Sequence, residues 1–458
     1  MADFDVTVFG AGPGGYLAAE RAGQAGMKTL LVEKQHIGGT CLNEGCIPTK
    51  TLLKSAKLFH ACKTSQTYCV GCENVSIDQK AVVARKKAVT AQLVAGVKAG
   101  LKASKVKTVE AEGHILGRDG DGIIIEAAGT TYHTKNLILA TGSHPIVPGS
   151  IEGLKESLAD GFVLTSTELL ELEEIPETMC VVGGGVIGLE MATYYAMVGT
   201  KVEIVEAAAK VAGDLDAEAT AVIQKACEDL GMNFRLNTKA VSFHKGVVTV
   251  ENNGQKDEIK CDKVLLCIGR APNLDGYGLE TLHVPTEKGR ILVDEHCLTG
   301  VPNVYAIGDC NGTGMLAHVA YRQGEVAVKH IQGIDDPMRW GCVPSLVHTE
   351  PEAAFVGETV ESAKAKGIDA VGVKLPFQYS GLYIAENENG TGIIKAVFDK
   401  KKRTMIGVTL VGGPASELIT ICSMMIENEL TADRMKSYVY PHPTYAEIIK
   451  EAIFAAKL

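Results

Sequence analysis

Phe4-Asp-Val-Thr-Val-Phe9, then Gly10-Ala-Gly12-Pro-Gly14-Gly15, then Tyr16 to Ala25, then Lys28-Thr-Leu-Leu-Val-Glu33: this stretch decides the fold. The first run is apolar in the manner of a buried strand. The glycines follow it at once. An alanine-rich helix comes next, Gly26 can end it, and a second apolar strand closes the unit. In that strand–helix–strand setting G-x-G-x-x-G has a mechanism. Gly10 permits the tight turn. Gly12 lets backbone approach a pyrophosphate, and Gly15 lets the helix pack on the strands. The helix N-terminus supplies unpaired N–H groups and a positive dipole end. Glu33 stands where a carboxylate accepts from ribose hydroxyls.

The design recurs. Met179-Cys-Val-Val182 reads as a strand, Gly183-Gly-Gly185-Val-Ile187-Gly188 as the loop, Leu189–Val198 as the helix and Lys201-Val-Glu-Ile-Val-Glu206 as the second strand. The first glycine precedes the acidic residue by 23 positions in both copies. A glycine turn in a non-binding α/β fold explains either copy alone, but poorly explains two with equal spacing. The sequence therefore predicts an α/β protein with two Rossmann-like dinucleotide-binding units. Glu206 favours free ribose hydroxyls over a 2′-phosphate. Ala207-Ala-Ala-Lys210 brings no arginine, so NAD is expected rather than NADP.

Composition sets the outer bounds. At about 100–200 residues per domain, 458 residues predict two to four domains. Hydrophobic residues at 46% and charged residues at 22% exclude a disordered or fibrous chain. The sequence has no apolar run long enough to span a bilayer. A net charge of −10 argues against nucleic acid or an anionic membrane as partner. Thirteen cysteines, an odd number in a long chain, do not resemble a secreted disulfide scaffold and suggest a reducing compartment. Met1 leads directly into the first strand without signal-peptide features. The expected location is cytoplasmic, or the mitochondrial matrix if a leader was removed.

Chemistry concentrates in Gly38-Gly-Thr40-Cys41-Leu-Asn-Glu44-Gly-Cys46-Ile-Pro-Thr49-Lys50. Two cysteines with this spacing approach closely if the first lies at a helix N-terminus. That terminus and a nearby lysine would both favour thiolate. Zinc would want a second ligand pair, which is not nearby, so no metal is expected. A buried structural pair is the plain alternative. His60-x-Cys62 and Cys69-Val-Gly-Cys72 resemble a zinc half-site or a redox pair, yet read better as unpaired buried thiols. Cys180 and Cys267 read as small core residues. Near the C-terminus, Pro441-His442-Pro-Thr-Tyr-Ala-Glu447 offers a base and an orienting carboxylate. A His-Pro turn without chemistry is its plain alternative.

Together these motifs resemble the flavin-dependent pyridine nucleotide–disulfide oxidoreductases, in order and over essentially the whole chain. Cys-Leu-Asn-x-Gly-Cys-Ile-Pro-x-Lys is closer to the lipoamide-handling members than to the glutathione and trypanothione reductases. The tail Ala-Ala-Lys-Leu458 lacks the cysteine pair of mercuric reductase and the larger thioredoxin reductases.

The resemblance implies FAD at the first site. Its residues there are Gly10, Gly12, Gly14, Gly15, Glu33, Thr40, Lys50, Gly113, Thr141, Gly142, Ser143, Asp309, Met315, Leu316, Ala317 and His318. It implies NAD at the second, with Gly183, Gly185, Ile187, Gly188, Glu190, Glu206 and Gly269. Catalysis falls to Cys41, Cys46, His442 and Glu447, the cysteines forming a redox-active disulfide and Glu190 pairing with Lys50. The implied domains are 1–147 for FAD, 148–272 for NAD, 273–340 completing the FAD site and an α+β dimerisation domain at 341–458. The implied assembly is a homodimer in which His442 serves the partner's cysteines. The implied activity is NAD-linked oxidation of dihydrolipoamide, free or on lipoyl domains of 2-oxoacid dehydrogenase or glycine-cleavage complexes. A reductase of glutathione or trypanothione disulfide is the alternative enzyme, and a cofactor-loaded scaffold without turnover the alternative class. Two positions depart from the pattern. Thr49 replaces a common Ser, and Glu44, between the cysteines, is expected to face solvent.

Overall fold

The structure is a computed structural model that describes all residues except Met1, Asp121, Asp214 and Asn389. Three sheets organise it. In the first, Lys107–Glu110, Thr29–Glu33, Phe4–Phe9 and Thr130–Leu139 run parallel in that order. Phe4–Phe9 sits in the middle and is buried almost throughout, as a parallel strand covered on both faces must be. Thr130–Leu139 also pairs with an antiparallel meander of Gly122–Ala127 and Gly113–Asp119. Its C-terminal end takes Val304–Ala306 as a further parallel neighbour. The chain thus returns to the first sheet after a long excursion.

That excursion holds the second sheet. Asn233–Arg235, Lys201–Val205, Thr178–Val182, Lys263–Leu266 and Val163–Leu164 lie parallel in that order. The third sheet is antiparallel: Ser345–Val347, Ala353–Gly357, Thr404–Val411, Ile393–Asp399 and Ala370–Pro376. Helices Ala415–Glu427 and Glu447–Ala455 bury Leu418, Ile419, Ile449 and Ile453 in the apolar cluster built on it.

Both loop helices begin earlier than the periodicity suggests, at Pro13 and Val186 rather than Tyr16 and Leu189. Gly12 and Gly185 adopt extended N-cap conformations, which places the later glycines inside the first turn. Pro13 suits the first helical position because its missing N–H would have no partner there. The helix Val186–Val198 is buried on nearly every side and correspondingly apolar. Its cluster is shared with Leu52, Leu53 and Ala56 of the helix Cys46–Thr64, so the thiol helix rests on the second nucleotide unit.

Candidate active site

The glycines divide by role. A Cβ on Gly10 would lie 2.2 Å from the carbonyl oxygen of Ala140, and one on Gly15 1.9 Å from that of Gly10. In the second loop, a Cβ on Gly183 would meet the Cys267 carbonyl at 2.4 Å and one on Gly188 the Gly183 carbonyl at 2.0 Å. These four are glycine because backbone already fills the space. Gly10 and Gly183 also adopt left-handed φ of +96° and +116°. Gly12 has nothing nearer than 4.0 Å and Gly185 nothing within 4 Å. The open positions are those where a phosphate must approach backbone.

The two acids brace these loops. Glu33 accepts from the amides of Ala11 (2.6 Å), Gln35 (2.7 Å) and His36 (3.2 Å). Glu206 accepts from the amides of Gly184 (2.7 Å) and Ala208 (2.6 Å). Lys210, on the loop after Glu206, is engaged with the Leu215 carbonyl at 2.5 Å.

One continuous cavity of about 1200 Å³ connects both loops. It exceeds the roughly 300–1,000 Å³ of an ordinary small-molecule pocket. Its wall includes Cys41 and Cys46 and every cofactor-binding residue expected from the sequence except Gly188, which lies beneath its loop against Gly183 and Cys267.

The cysteines are arranged differently from the sequence expectation. Cys41 lies within a one-turn helix, Gly39–Asn43, and it is Cys46 that opens the long helix Cys46–Thr64. Gly45 breaks the chain between them. The dipole of the longer helix therefore acts on the second thiol. Cys46 is held down to about 7, first by a hydrogen bond from Cys41 and then by Lys50, against the opposing effect of burial. Cys41 is pushed far up by donating that bond and by burial. In the dithiol state Cys46 carries the charge and Cys41 the proton. Lys50 stands one turn beyond Cys46, and its Nζ lies 2.7 Å from Glu190 Oε2. Glu190, buried, also accepts from the His348 amide at 3.0 Å.

Glu44 does not face solvent as expected. It is half-buried on the cavity wall, with Oε2 3.5 Å from Thr167 Oγ1, and its charge acts on Arg270. Cys69 and Cys72 are exposed rather than buried, because they lie on a surface loop after the helix, and Cys62 is half-buried. Among the described residues no group of three or more His, Cys, Asp or Glu side chains is placed to hold a metal. Nor, among the described residues, is any helix long and apolar enough to cross a membrane.

His442 and Glu447 pair at 2.8 Å through Nδ1. Glu447 also accepts from the Thr444 amide at 3.0 Å; that bond first, and His442 second, hold its carboxyl below the usual range. The His442 side chain is 74% exposed, and among the described residues the cavity draws no wall residue from beyond His348. One chain alone does not bring this pair to its own thiols.

Residues 4–324 match the pyridine nucleotide-disulphide oxidoreductase family, and residues 343–453 match its dimerisation domain. The chain belongs to this family. A dihydrolipoyl dehydrogenase of Mycoplasma pneumoniae is 37% identical to it over 463 residues, 99% of each chain. Another, from Geobacillus stearothermophilus, is 38% identical over 453 residues, covering 98% of this chain and 95% of that one. A crystal structure of LpdA from Mycobacterium tuberculosis aligns with a TM-score of 0.89 at 27% identity over 98% of both chains.

As a pyridine nucleotide–disulfide oxidoreductase the protein uses FAD and NAD(H), and its residues fit both. Two open glycines face the cavity, each on a loop braced by a carboxylate. Sequence reasoning missed a brace beside the first site. Arg270 Nε donates to Ser143 Oγ (2.7 Å) and Nη2 to the Ser143 carbonyl (2.8 Å), while Ser143 Oγ donates to Asp309 (2.5 Å). It also missed the Tyr16–Tyr321 pair, whose hydroxyls meet at 2.5 Å near Cys41. Burial, and then the bond to Tyr321, push the Tyr16 hydroxyl up, so it stays protonated. No local signal links residues 305 positions apart.

Proposed function

We propose that this chain is a dihydrolipoamide dehydrogenase. The carrying observation is a dithiol with divided charge, Cys46 low and Cys41 high, set between two dinucleotide loops in one cavity. The full-length likeness to dihydrolipoyl dehydrogenases supports the choice of substrate. On this reading residues 1–147 and 273–340 hold FAD, 148–272 hold NAD, and 341–458 form the dimer contact. Ile421 and Met424 of the helix Ala415–Glu427, with Tyr379 and Ile384, leave apolar surface exposed for a second copy.

The chemistry follows from the thiol asymmetry. In the oxidised state a disulfide joins Cys41 and Cys46. His442 of a second copy takes a proton at Nε2 from one substrate thiol, its Nδ1 being held by Glu447. The substrate thiolate attacks Cys41 Sγ, the Cys41–Cys46 bond breaks, and Cys46 leaves as thiolate. A low-pKa thiol is the better leaving group, so attack on Cys41 is the favoured direction. The second substrate thiol then attacks the substrate sulfur of the mixed disulfide. Cyclic lipoamide departs, and Cys41 takes the proton its high pKa demands. Bound FAD supplies the two-electron relay from the reduced thiols to NAD⁺. Lys50 holds the Cys46 charge meanwhile, and Glu190 holds Lys50.

Free dihydrolipoamide and an isolated lipoyl domain are the proposed donors. The test supplies either with NAD⁺ and follows NADH, in parallel with glutathione and trypanothione disulfides supplied with NADH or NADPH. NADH formation from the lipoyl donors is expected. Faster turnover of glutathione or trypanothione disulfide would overturn the reading.

A further inference from the structure

The segment 308–318 meets the cavity twice. Gly308 and Asp309 lie on its wall, Cys310 to Gly314 pass behind it, and Met315 to His318 return to it. Gly308–Asn311 is a 3-10 turn, opened by Gly308 in the left-handed region at φ +69°. The returning residues lead into the helix Ala317–Ile331. A ring of three side chains fixes the detour between the two wall pieces. The Gly308 amide donates to Gln323 Oε1 (2.6 Å), in the second turn of that helix. Asn311 Nδ2 donates to the same oxygen (3.2 Å) and to the Ala306 carbonyl (3.0 Å). Gln323 Nε2 donates to Thr313 Oγ1 (3.0 Å). The Thr313 hydroxyl and amide donate to Asn311 Oδ1 (2.7 and 3.1 Å), which closes the ring. Gln323 and Asn311 are wholly buried.

The helix that carries Gln323 is itself seated on the first glycine loop. A Cβ on Gly324 would lie 2.9 Å from the Gly14 carbonyl oxygen, and one on Gly14 2.9 Å from that of Ala320. The Tyr16 and Tyr321 hydroxyls meet across the same contact. Gln323 stands between this contact and the turn that carries Asp309. The turn is thus referenced to the glycine loop through its backbone, and to Ser143 and Arg270 through the Asp309 carboxylate. We propose that Gln323 is a positioning residue for FAD: through the Gly308 amide, with Asn311 and Thr313 bracing it, it sets where Asp309 is presented to the first dinucleotide site. Gln323 acts here only through Asp309, so its role rests on the expected place of Asp309 in the FAD site.

The physical ground is the satisfaction of buried amides. A buried N–H left without a partner is costly, and Gly308 and Asn311 both rely on Gln323 Oε1. Methionine has a similar length but neither acceptor nor donor. With it at position 323 the turn finds new partners only by moving, and Asp309 moves with it. Glutamate keeps the acceptor for Gly308 and Asn311, and the Thr313 hydroxyl can turn to donate to it.

The experiment dilutes the holoenzyme, titrates it with FAD and reads free and bound flavin by fluorescence as an apparent Kd. Gln323→Met should weaken FAD binding about ten- to hundred-fold. Gln323→Glu should stay within about threefold of wild type, as should Thr313→Ser, and Thr313→Ala should fall between them and Gln323→Met. NADH affinity, read separately, should hold within about twofold in every variant. The decisive arm is a double-mutant cycle with Asp309→Ala, which should itself weaken FAD binding. In that background Gln323→Met should change the Kd by less than about threefold, because the residue it positions is gone. Wild-type FAD affinity in Gln323→Met, an equal loss in Gln323→Glu, a parallel loss of NADH affinity, or the same loss from Gln323→Met in both Asp309 backgrounds would each overturn the proposal. An unchanged Kd in Asp309→Ala would remove Asp309 from the FAD site, and the role of Gln323 with it. If Gln323→Met does not fold, Thr313→Ala against Thr313→Ser, with and without Asp309→Ala, decides by the same comparison.

Discussion

Replacing Lys50 by Met tests the charge assignment on which the proposed chemistry rests. In the dithiol state Cys46 is held to about 7 against burial, and Lys50 is the second lowering influence after the Cys41 hydrogen bond. An opposite charge at close range shifts a pKa by roughly 1–3 units. Lys50 is shared with Glu190 at 2.7 Å, so its share lies at the lower end. Its removal has a second effect. It leaves the buried Glu190 carboxylate facing Cys46 uncompensated, and that charge already acts to raise the thiol. Together the two changes should lift Cys46 by about 1–2 units, equivalent to about 1.4–2.7 kcal/mol. At pH about 7.5 the thiolate fraction should fall from about three-quarters to about a quarter or less. The assay reduces the holoenzyme with a phosphine and pulses it with iodoacetamide across pH about 5.5 to 9.5. Peptide fragmentation then assigns label to Cys46 or Cys41. Wild-type labelling at Cys46 should inflect near 7, and the variant's should inflect above 8. An inflection unmoved by Lys50→Met would refute the argument. So would a low-pH inflection belonging to Cys41.

Two further perturbations separate orientation from packing. Glu447→Gln keeps a hydrogen-bonding group against His442 but removes the carboxylate now 2.8 Å from Nδ1; kcat/KM for dihydrolipoamide should fall about ten- to hundred-fold while cofactor content and thermal stability hold, and an unchanged kcat/KM would exclude the pair from proton transfer. Gly188→Ala places a Cβ 2.0 Å from the Gly183 carbonyl, whereas Gly185→Ala meets nothing within 4 Å. The first should cost about 1–3 kcal/mol of stability, read as a lowered Tm. The second should leave Tm nearly unchanged and weaken NADH binding measured by fluorescence; equal effects on Tm would contradict the division of roles.

What could be read from the sequence is what local spacing encodes. The two loops, their helices and the acids 23 positions on are contiguous, so the expectation of two nucleotide units needed no long-range contact. The cysteine geometry was harder. A one-turn helix at Gly39–Asn43 leaves no periodic signal, and the break at Gly45 moves the helix N-terminus from the first thiol to the second. Glu44 was misread because its burial is tertiary: the segment from Ser166 to Leu169 and Arg270 lie against it, contributed by distant parts of the chain. The same holds for Arg270, Ser143 and Asp309. Ser143 and Asp309 are expected at the FAD site one by one, but their contact with Arg270 depends on how the second sheet is inserted into the first.

Glu190 shows how that insertion matters to the chemistry. It lies on the helix that follows the second glycine loop, yet its carboxylate receives Lys50 from the thiol helix and the His348 amide from the turn after Ser345–Val347, the first strand of the third sheet. Three parts of the chain meet at one buried oxygen pair. A shift of the helix Val186–Val198 that lengthened the Lys50–Glu190 contact would free Lys50 to attend more closely to Cys46. A shift that tightened it would do the reverse. The thiolate's stability is therefore tied to the position of the helix that opens at the NAD loop. NADH binding should accordingly displace the Cys46 alkylation inflection even though the nucleotide loop does not touch the thiol. In Glu190→Gln, where the carboxylate charge is gone, the inflection should lie lower and respond less to NADH. An equal NADH-dependent displacement in wild type and Glu190→Gln would show that the coupling runs by another route.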